Sequence, residues 1–361
     1  MNFEYSSEHL LLQQSIGNLF SKKYPVEYVR GFIDSNYQLD EGLSNTLAEQ
    51  GALTVFIEDE EKLTEGLVYS LLTTLEAGKV LLPFPLVESH VVSYLLNKYE
   101  ANKKIKELQE TGEKTFTIGW FIDDNFEIDG NCLSGEVKFV PFAEQCYYAL
   151  INLPTKSVLI DLSKVTKKQL DSMDQTYPIY NIQLKDYIVE DSFIISNSNL
   201  EQEAKEIAAL LASAEVIGAS QVVLKMTVDY LNERKQFNQV IGKFQAVKHK
   251  AADMYVLLES SKVALKYGAC VYAMNDEVEM KKLSSLLKSY VSDSANELMG
   301  IAIQLHGGIG FTWESDLHLY YKRARRISAM YGDAYSHRSS LFIQLLAEIK
   351  SSIESEVSVY G

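Results

Sequence analysis

Gln304-Leu-His-Gly-Gly-Ile-Gly-Phe-Thr312 carries three glycines among four residues, at Gly307, Gly308 and Gly310. Upstream, Leu283, Leu287, Tyr290, Leu298, Ile301 and Leu305 recur at helical spacing. Downstream, Leu317, Tyr320, Ala324 and Ile327 resume it. The glycines therefore break one helix and precede another. Two readings of the break stay open. Glycine ends helices and turns corners, so the stretch can be a tight corner and nothing more. Glycine also lacks Cβ, so its backbone can lie against a phosphate or the edge of a flat ring. Neither a strand-borne GxGxxG nor the Lys-Ser/Thr ending of a P-loop is present.

Working backwards, Phe244, Val247, Ala251, Met254, Leu258, Ser261, Leu265, Gly268 and Tyr272 alternate steps of three and four. So sustained a pattern predicts bundle packing rather than a helix on a sheet. Ile207, Leu210, Leu211, Ala214, Ile217 and Gly218 open another long helix, and Ser339 to Ser352 predicts a last one. Between Thr115 and about Ser196 the helical period disappears. Short β-rich runs replace it, with Asp129-Gly130-Asn131 as a hairpin turn between Phe126-Ile128 and Val137-Val140. Residues from about 6 to 110 return to helical spacing. There Gly51 is read as a C-cap, Thr64 as an N-cap, Gly78 with Pro83-Phe84-Pro85 as a stop, and Ile105 to Gln109 as a further turn. The expected fold is a multidomain α and β chain. An N-terminal α-helical domain (1–112) precedes a middle β-sandwich or barrel (113–198) and a C-terminal four-helix bundle (199–361).

Composition narrows the function classes. Lys plus Arg is 34 against 49 for Asp plus Glu, a net charge of -15, which lacks the electrostatic footprint of a nucleic-acid binder. The basic run Lys322, Arg323, Arg325, Arg326 is a local exception, read as a solvated helix face or an anion contact. Cys132, Cys146 and Cys270 are odd in number and widely spaced, fitting neither a disulfide framework nor a zinc site. His306, His318 and His337 are too scattered for a metal. The N-terminal residues do not read as a signal peptide, and no apolar run reads as a membrane span. The expectation is a cytoplasmic protein.

Arg234-Lys-Gln-Phe237 and Ile241-Gly-Lys-Phe-Gln245 lie between the first two long C-terminal helices. A planar guanidinium suits a phosphate, and Phe237 and Phe244 offer faces to a flat ring. Set beside Gln304 to Gly310, in this order and spacing, the segments resemble the acyl-CoA dehydrogenase family of flavoproteins. Leu133-Ser-Gly-Glu-Val-Lys-Phe-Val140 resembles the strand usual in that family's middle domain. The resemblance covers most of the chain in plan and is specific in the C-terminal bundle. It implies FAD held between middle and C-terminal domains, with a neighbouring subunit completing the site. By position, Arg234, Gln236, Phe237, Ile241 and Phe244 would line the partner's FAD, and Gln304, Gly307 and Gly308 would meet the cofactor from the other chain. The implied chemistry is α,β-desaturation of an acyl thioester, on CoA or a carrier protein, with an electron-transferring flavoprotein as acceptor. The implied assembly is a homodimer or tetramer, or a heteromer with a second subunit of the same family.

The departures are as informative. Aligned through Lys322-Arg-Ala-Arg325, Tyr331 stands where many members carry the glutamate base, and Ala208 stands where others do. Asn238 replaces the glycine after Phe237, and Thr117-Ile-Gly-Trp120 occupies the usual Thr-Glu position. A phenol with an ordinary pKa of about 10 is a poor base at neutral pH. Asp333, just past the flexible Gly332, is the candidate base, with a partner subunit's glutamate as its rival and, as the other reading, a cap on the helix containing His337 and Arg338. The rival to an active enzyme is a catalytically silent, FAD-contacting subunit of a heteromeric dehydrogenase, suggested by the Gly332 to Arg338 ending.

Overall fold

The computed structural model describes residues 5–40, 42–53, 60–99, 105, 107–108, 111–195, 200–273 and 277–360. Among them the N-terminal helices are α1 (Ser7–Lys23), α2 (Val26–Asp34), α3 (Leu43–Glu49), α4 (Glu60–Val80) and α5 (Leu86–Lys98). A capping box starts α1: the Ser6 hydroxyl accepts the His9 N–H while the His9 ring bonds back to the Ser6 N–H. Helix α4 departs from expectation at both ends. It is already helical at Glu60, so Thr64 does not open it, and it runs through Gly78 to Val80. The glycine serves contact, not termination. A Cβ at Gly78 would lie 1.9 Å from the Glu215 carbonyl oxygen, and one at Gly218 would lie 1.9 Å from that of Leu75. The two helix backbones touch there. The further turn expected at Ile105 to Gln109 falls largely outside the described residues, as does the boundary at 198–199.

The middle of the chain forms two sheets. One has the order β1 (Phe116–Gly119), β5 (Tyr148–Asn152), β6 (Ser157–Asp161), β9 (Ile194–Ile195), with β1 and β5 parallel. The other runs β2 (Phe121–Ile122), β4 (Cys132–Pro141), β8 (Ile179–Ile188), β7 (Thr166–Leu170), with β3 (Glu127–Asp129) also paired to β4. Asp129 faces Cys132 across the expected hairpin turn, where Gly130 takes a φ of 59°. Alternate residues of both sheets, among them Val137, Ile151, Ile160, Ile182 and Leu184, close a core of their own. Strand β7, Thr-Lys-Lys-Gln-Leu, escaped the sequence reading because it is a polar edge strand.

The C-terminal helices are α6 (Leu200–Glu233), α7 (Gln245–Ala273), α8 (Glu277–His306), α9 (Leu317–Ala329) and α10 (Ala334–Tyr360). Between α6 and α7 lies a small hairpin, β10 (Lys235–Gln236) and β11 (Gln239–Val240). Helix α6 is the axis: every residue from Ile207 to Ser220 is buried. By length and composition alone it is apolar enough to cross a membrane, against the expectation that no run would be. Its apolar window is 83% buried, which is how a core helix passes that test. One continuous core joins α6 to Leu71 and Leu75 of α4, Val91 and Leu95 of α5, and Ile118 of β1. The same core takes in Leu258 and Leu265 of α7, Leu287 of α8 and Ile327 of α9.

Candidate active site

A cavity of about 560 Å³ opens where the sandwich meets the bundle. Trp120, Phe121, Phe139 and Ile179 wall it from the strands, and Gln202, Lys205 and Glu206 from the first turns of α6. Ser285 of α8, Ala329 at the end of α9, Met330, Tyr331 and Gly332 of the turn after it, and Ser336, His337 and Ser340 of α10 complete it.

The turn after α9 is held unusually tightly. Tyr331 adopts a φ of 60°, a left-handed conformation costly for a bulky side chain, and Gly332 follows at 93°. The Tyr331 hydroxyl donates to Glu88 Oε1 at 2.5 Å, and the Tyr177 hydroxyl donates to Glu88 Oε2 at 2.5 Å. Three regions of the chain thus meet on one carboxylate with no solvent exposure. Burial pushes the Glu88 carboxyl up, against the two phenols and Arg326, which pull it down. Burial and the Glu88 charge push the Tyr331 phenol well above its ordinary value, so it stays protonated. The same turn is fixed from below. His337 Nε2 lies 2.8 Å from the Tyr331 carbonyl, and buried Lys288 donates to the Gly332 carbonyl at 3.0 Å. Burial pushes the Lys288 ammonium down to about 7. On the opposite wall the Trp120 ring meets Tyr331 edge-on at 5.1 Å, and its buried indole N–H has no partner among the described residues.

Behind this turn a buried ion cluster locks bundle to sandwich. Asp174 Oδ2 accepts from Arg323 Nε at 2.8 Å and Arg326 Nε at 3.0 Å. Glu215 Oε1 accepts from Arg323 Nη1 at 2.5 Å, and the Arg326 guanidinium lies 3.6 Å over the Tyr177 ring. The basic run of α9 is therefore divided. Arg323 and Arg326 are core, not a solvated face, while Arg325 is exposed.

The remaining candidates from the sequence sit at the other end of the bundle. From Glu206 to Tyr230, helix α6 rises about 36 Å at roughly 1.5 Å per residue. There the Tyr230 ring stacks on His306 at 4.4 Å between centroids, bringing the hairpin after α6 beside the glycine turn after α8. Arg234 and Gln236 are exposed, Phe237 is 86% exposed, and Ile241 and Phe244 are half-buried. Gln304, Gly307 and Gly308 are exposed, and Gly307 has a φ of 64°. A Cβ at Gly307 or Gly308 would meet no atom within 4 Å, so an open cradle lies beside this backbone. Asp333 is exposed and caps α10, its carboxylate accepting the Ser336 N–H at 2.8 Å. It is not among the residues that line the cavity.

Residues 202–344 match the acyl-CoA dehydrogenase C-terminal domain family. The acyl-CoA dehydrogenase IpdE2 of Mycolicibacterium smegmatis is 29% identical over 331 residues, covering 91% of this chain and 95% of that protein. The IpdE2 of Mycobacterium tuberculosis is 26% identical over 352 residues and 97% of both chains. Residues 202–344 belong to the acyl-CoA dehydrogenase C-terminal domain family, and the whole chain is similar to acyl-CoA dehydrogenases along its length. It is accordingly an oxidoreductase of a flavoprotein family, and its fold is theirs. Butyryl-CoA dehydrogenase from Megasphaera elsdenii superposes with a TM-score of 0.84 at 16% identity, over 96% of this chain and 100% of that one. A glutaryl-CoA dehydrogenase in complex with glutaryl-CoA superposes at 0.82 and 18%, over 96% and 97%.

Sequence reasoning missed Glu88, Lys288 and Glu206. Glu88 and Lys288 sit within helical patterns, where a charged residue is read as facing water. The signal that was present is Glu88 within a predominantly apolar run, Leu81-Leu-Pro-Phe-Pro-Leu-Val-Glu-Ser-His-Val-Val-Ser-Tyr-Leu-Leu96. A carboxylate inside such a run must be paired.

Proposed function

We propose that this chain is an FAD-dependent acyl-CoA dehydrogenase that desaturates an acyl thioester between its α and β carbons. The observation carrying the reading is a mainly apolar, aromatic-walled cavity at the sandwich–bundle seam of a family member, with acid–base groups in its wall. FAD, when bound, supplies the acceptor for the β-hydride. This chain's residues fit that cofactor in two places. Trp120 brings an unsatisfied indole donor to the cavity, and Gly307 and Gly308 offer a bare backbone beside the exposed Arg234 guanidinium. Arg234 would pair with a phosphate and Phe237 would cover a flat ring. Aromatic walls exclude water and orient the acyl chain, while the pinned Tyr331 turn keeps the cavity's shape.

Because the two ends lie far apart along α6, one chain's Arg234 and cavity cannot both reach one cofactor. We propose the second half comes from a neighbouring chain, a second copy or a related subunit. Val256 and Val263 of α7 and Phe342 and Ile343 of α10 are more than half exposed, and they offer apolar faces for that association. Flavin content is then expected to track assembly. A monomer retaining FAD through size-exclusion chromatography would contradict the shared site.

The purified protein is expected to be yellow, and its flavin to bleach anaerobically with a suitable acyl-CoA. A Cβ at Gly308 meets no protein atom within 4 Å, so Gly308→Val is expected to fold normally yet release flavin. Arg234→Ala is expected to weaken FAD by about 1.5–3 kcal/mol through loss of a charge-assisted contact. Full flavin content with unchanged affinity in both variants would remove these residues from the site. A colourless protein that becomes active only with a second subunit would favour the silent-subunit alternative.

A further inference from the structure

Removing a proton from the carbon beside a thioester carbonyl requires an acceptor in the cavity wall. The lining side chains able to titrate are Lys205, Glu206, Tyr331 and His337. Three of them are engaged elsewhere. Lys205 pairs with Glu201 at 2.6 Å. Tyr331 is a protonated phenol whose hydrogen is committed to Glu88. A carbonyl only accepts, so His337 must carry its proton on Nε2 toward the Tyr331 oxygen, leaving Nδ1 facing the Ser285 hydroxyl at 3.3 Å. Both ring nitrogens of His337 are thereby used.

Glu206 differs from all three. It is the one carboxylate among the lining residues, and it is half-buried on the first turns of α6. Its Oε1 accepts from Gln202 Nε2 at 2.7 Å, which orients the group. Among the described residues nothing bonds its Oε2. We propose that Glu206 is the general base of the desaturation, supplied by the wall helix rather than by the turn that carries Tyr331 and Asp333. This rests on the flavin-dependent reading above. The Glu206 carboxylate takes the α-proton, and the electron pair of that C–H bond becomes the second bond between Cα and Cβ. Bound FAD would supply the acceptor for the β-hydride, so that the two electrons lost by the thioester would be gained by the flavin. The proton stays on Glu206 until solvent removes it.

The surroundings suit the task. Burial pushes the Glu206 carboxyl above its ordinary value. The Gln202 amide, Lys281 of α8 and Lys98 of α5 pull it down, and the Glu203 charge pushes it up. A base so raised holds a proton more strongly than a solvated glutamate. It works above its own pKa and fails as pH falls through it.

The test uses flavin-loaded protein in deuterium oxide, kept anaerobic, with butyryl-CoA, octanoyl-CoA and cyclohexylpropionyl-CoA as probes. Deuterium at the α-carbon of the recovered thioester, read by mass spectrometry, reports proton removal without any oxidation. Glu206→Gln keeps the Gln202 contact and is expected to slow exchange and flavin bleaching together by about 10²–10⁴-fold with acyl-CoA affinity retained. Glu206→Asp, with its carboxylate withdrawn, is expected to fall between. Asp333→Asn, which keeps the cap, is expected to exchange normally. The acid limb of the exchange rate in unmodified protein is expected above the ordinary glutamate range of about 4.3 and absent from Glu206→Gln. Exchange at the unmodified rate in Glu206→Gln would overturn the proposal, and its loss in Asp333→Asn alone would give the role to Asp333. Should Glu206→Gln not fold, an acid limb at the ordinary glutamate value would overturn the proposal by itself. No exchange and no bleaching in unmodified protein with any probe would instead overturn the desaturation reading beneath it.

Discussion

Gly218→Val is expected to abolish folding. At this point α4 and α6 meet backbone to backbone, and a Cβ at Gly218 would overlap the Leu75 carbonyl oxygen at 1.9 Å. Gly78 mirrors it, 1.9 Å from the Glu215 carbonyl oxygen, so neither helix can retreat without breaking the other's contact. Extra methylenes in a core that can rearrange cost about 1–3 kcal/mol. Here the obstacles are main-chain carbonyls in the middle of two buried helices. The loss should therefore exceed that range and approach the whole stability of a domain, about 5–15 kcal/mol. Gly300→Ala supplies the contrast. It lies inside α8 with no atom within 4 Å of the new Cβ, so it is expected to gain up to about 1 kcal/mol from helix propensity. Thermal unfolding of the two variants beside the unmodified protein checks both signs. Gly218→Val melting with the unmodified protein would show that the helices do not touch as described.

Asp174→Asn is expected to cost about 3–5 kcal/mol, because it leaves two buried guanidiniums sharing a single carboxylate, Glu215. Burial works against the Asp174 charge, and Arg323 and Arg326 overcome it, holding the carboxyl below its ordinary value. Its folded pKa is thus lower than its unfolded one. The stability it contributes is present above the unfolded value, about 3.9, and disappears as pH falls through the lower folded value. The gap between unmodified protein and Asp174→Asn, measured by urea unfolding, should be full at neutral pH and narrow in acid. A gap that is absent at pH 7, or that widens on acidification, would refute this account.

The order helix, strand, helix was legible because each region keeps its own period. The spacing from Met254 to Gly268 reappears as the buried face of α7. What the sequence could not convey was which polar residues leave solvent. Arg323 and Arg326 look like a surface stripe, and the partners that bury them, Asp174 and Glu215, come from a loop of the sandwich and from α6. Gly78 looks like a helix stop because its purpose lies 137 residues away at Glu215. The two segments proposed to hold the cofactor could be singled out because each is contiguous. The cavity could not, since its wall is assembled from strands β2, β4 and β8, from four helices and from the turn at Tyr331.

The continuous core around α6 also governs how this chain can be recombined with a relative. A graft cut where strand gives way to helix would look natural in the sequence, yet it would part Leu75 from Gly218 and Glu88 from Tyr331. The helices before the sandwich and those after it must be inherited together, as if they were one uninterrupted segment. The sandwich, which closes most of its own core, is the piece that can be exchanged. Even there the donor must bring an aspartate to meet Arg323 and a tyrosine to meet Glu88.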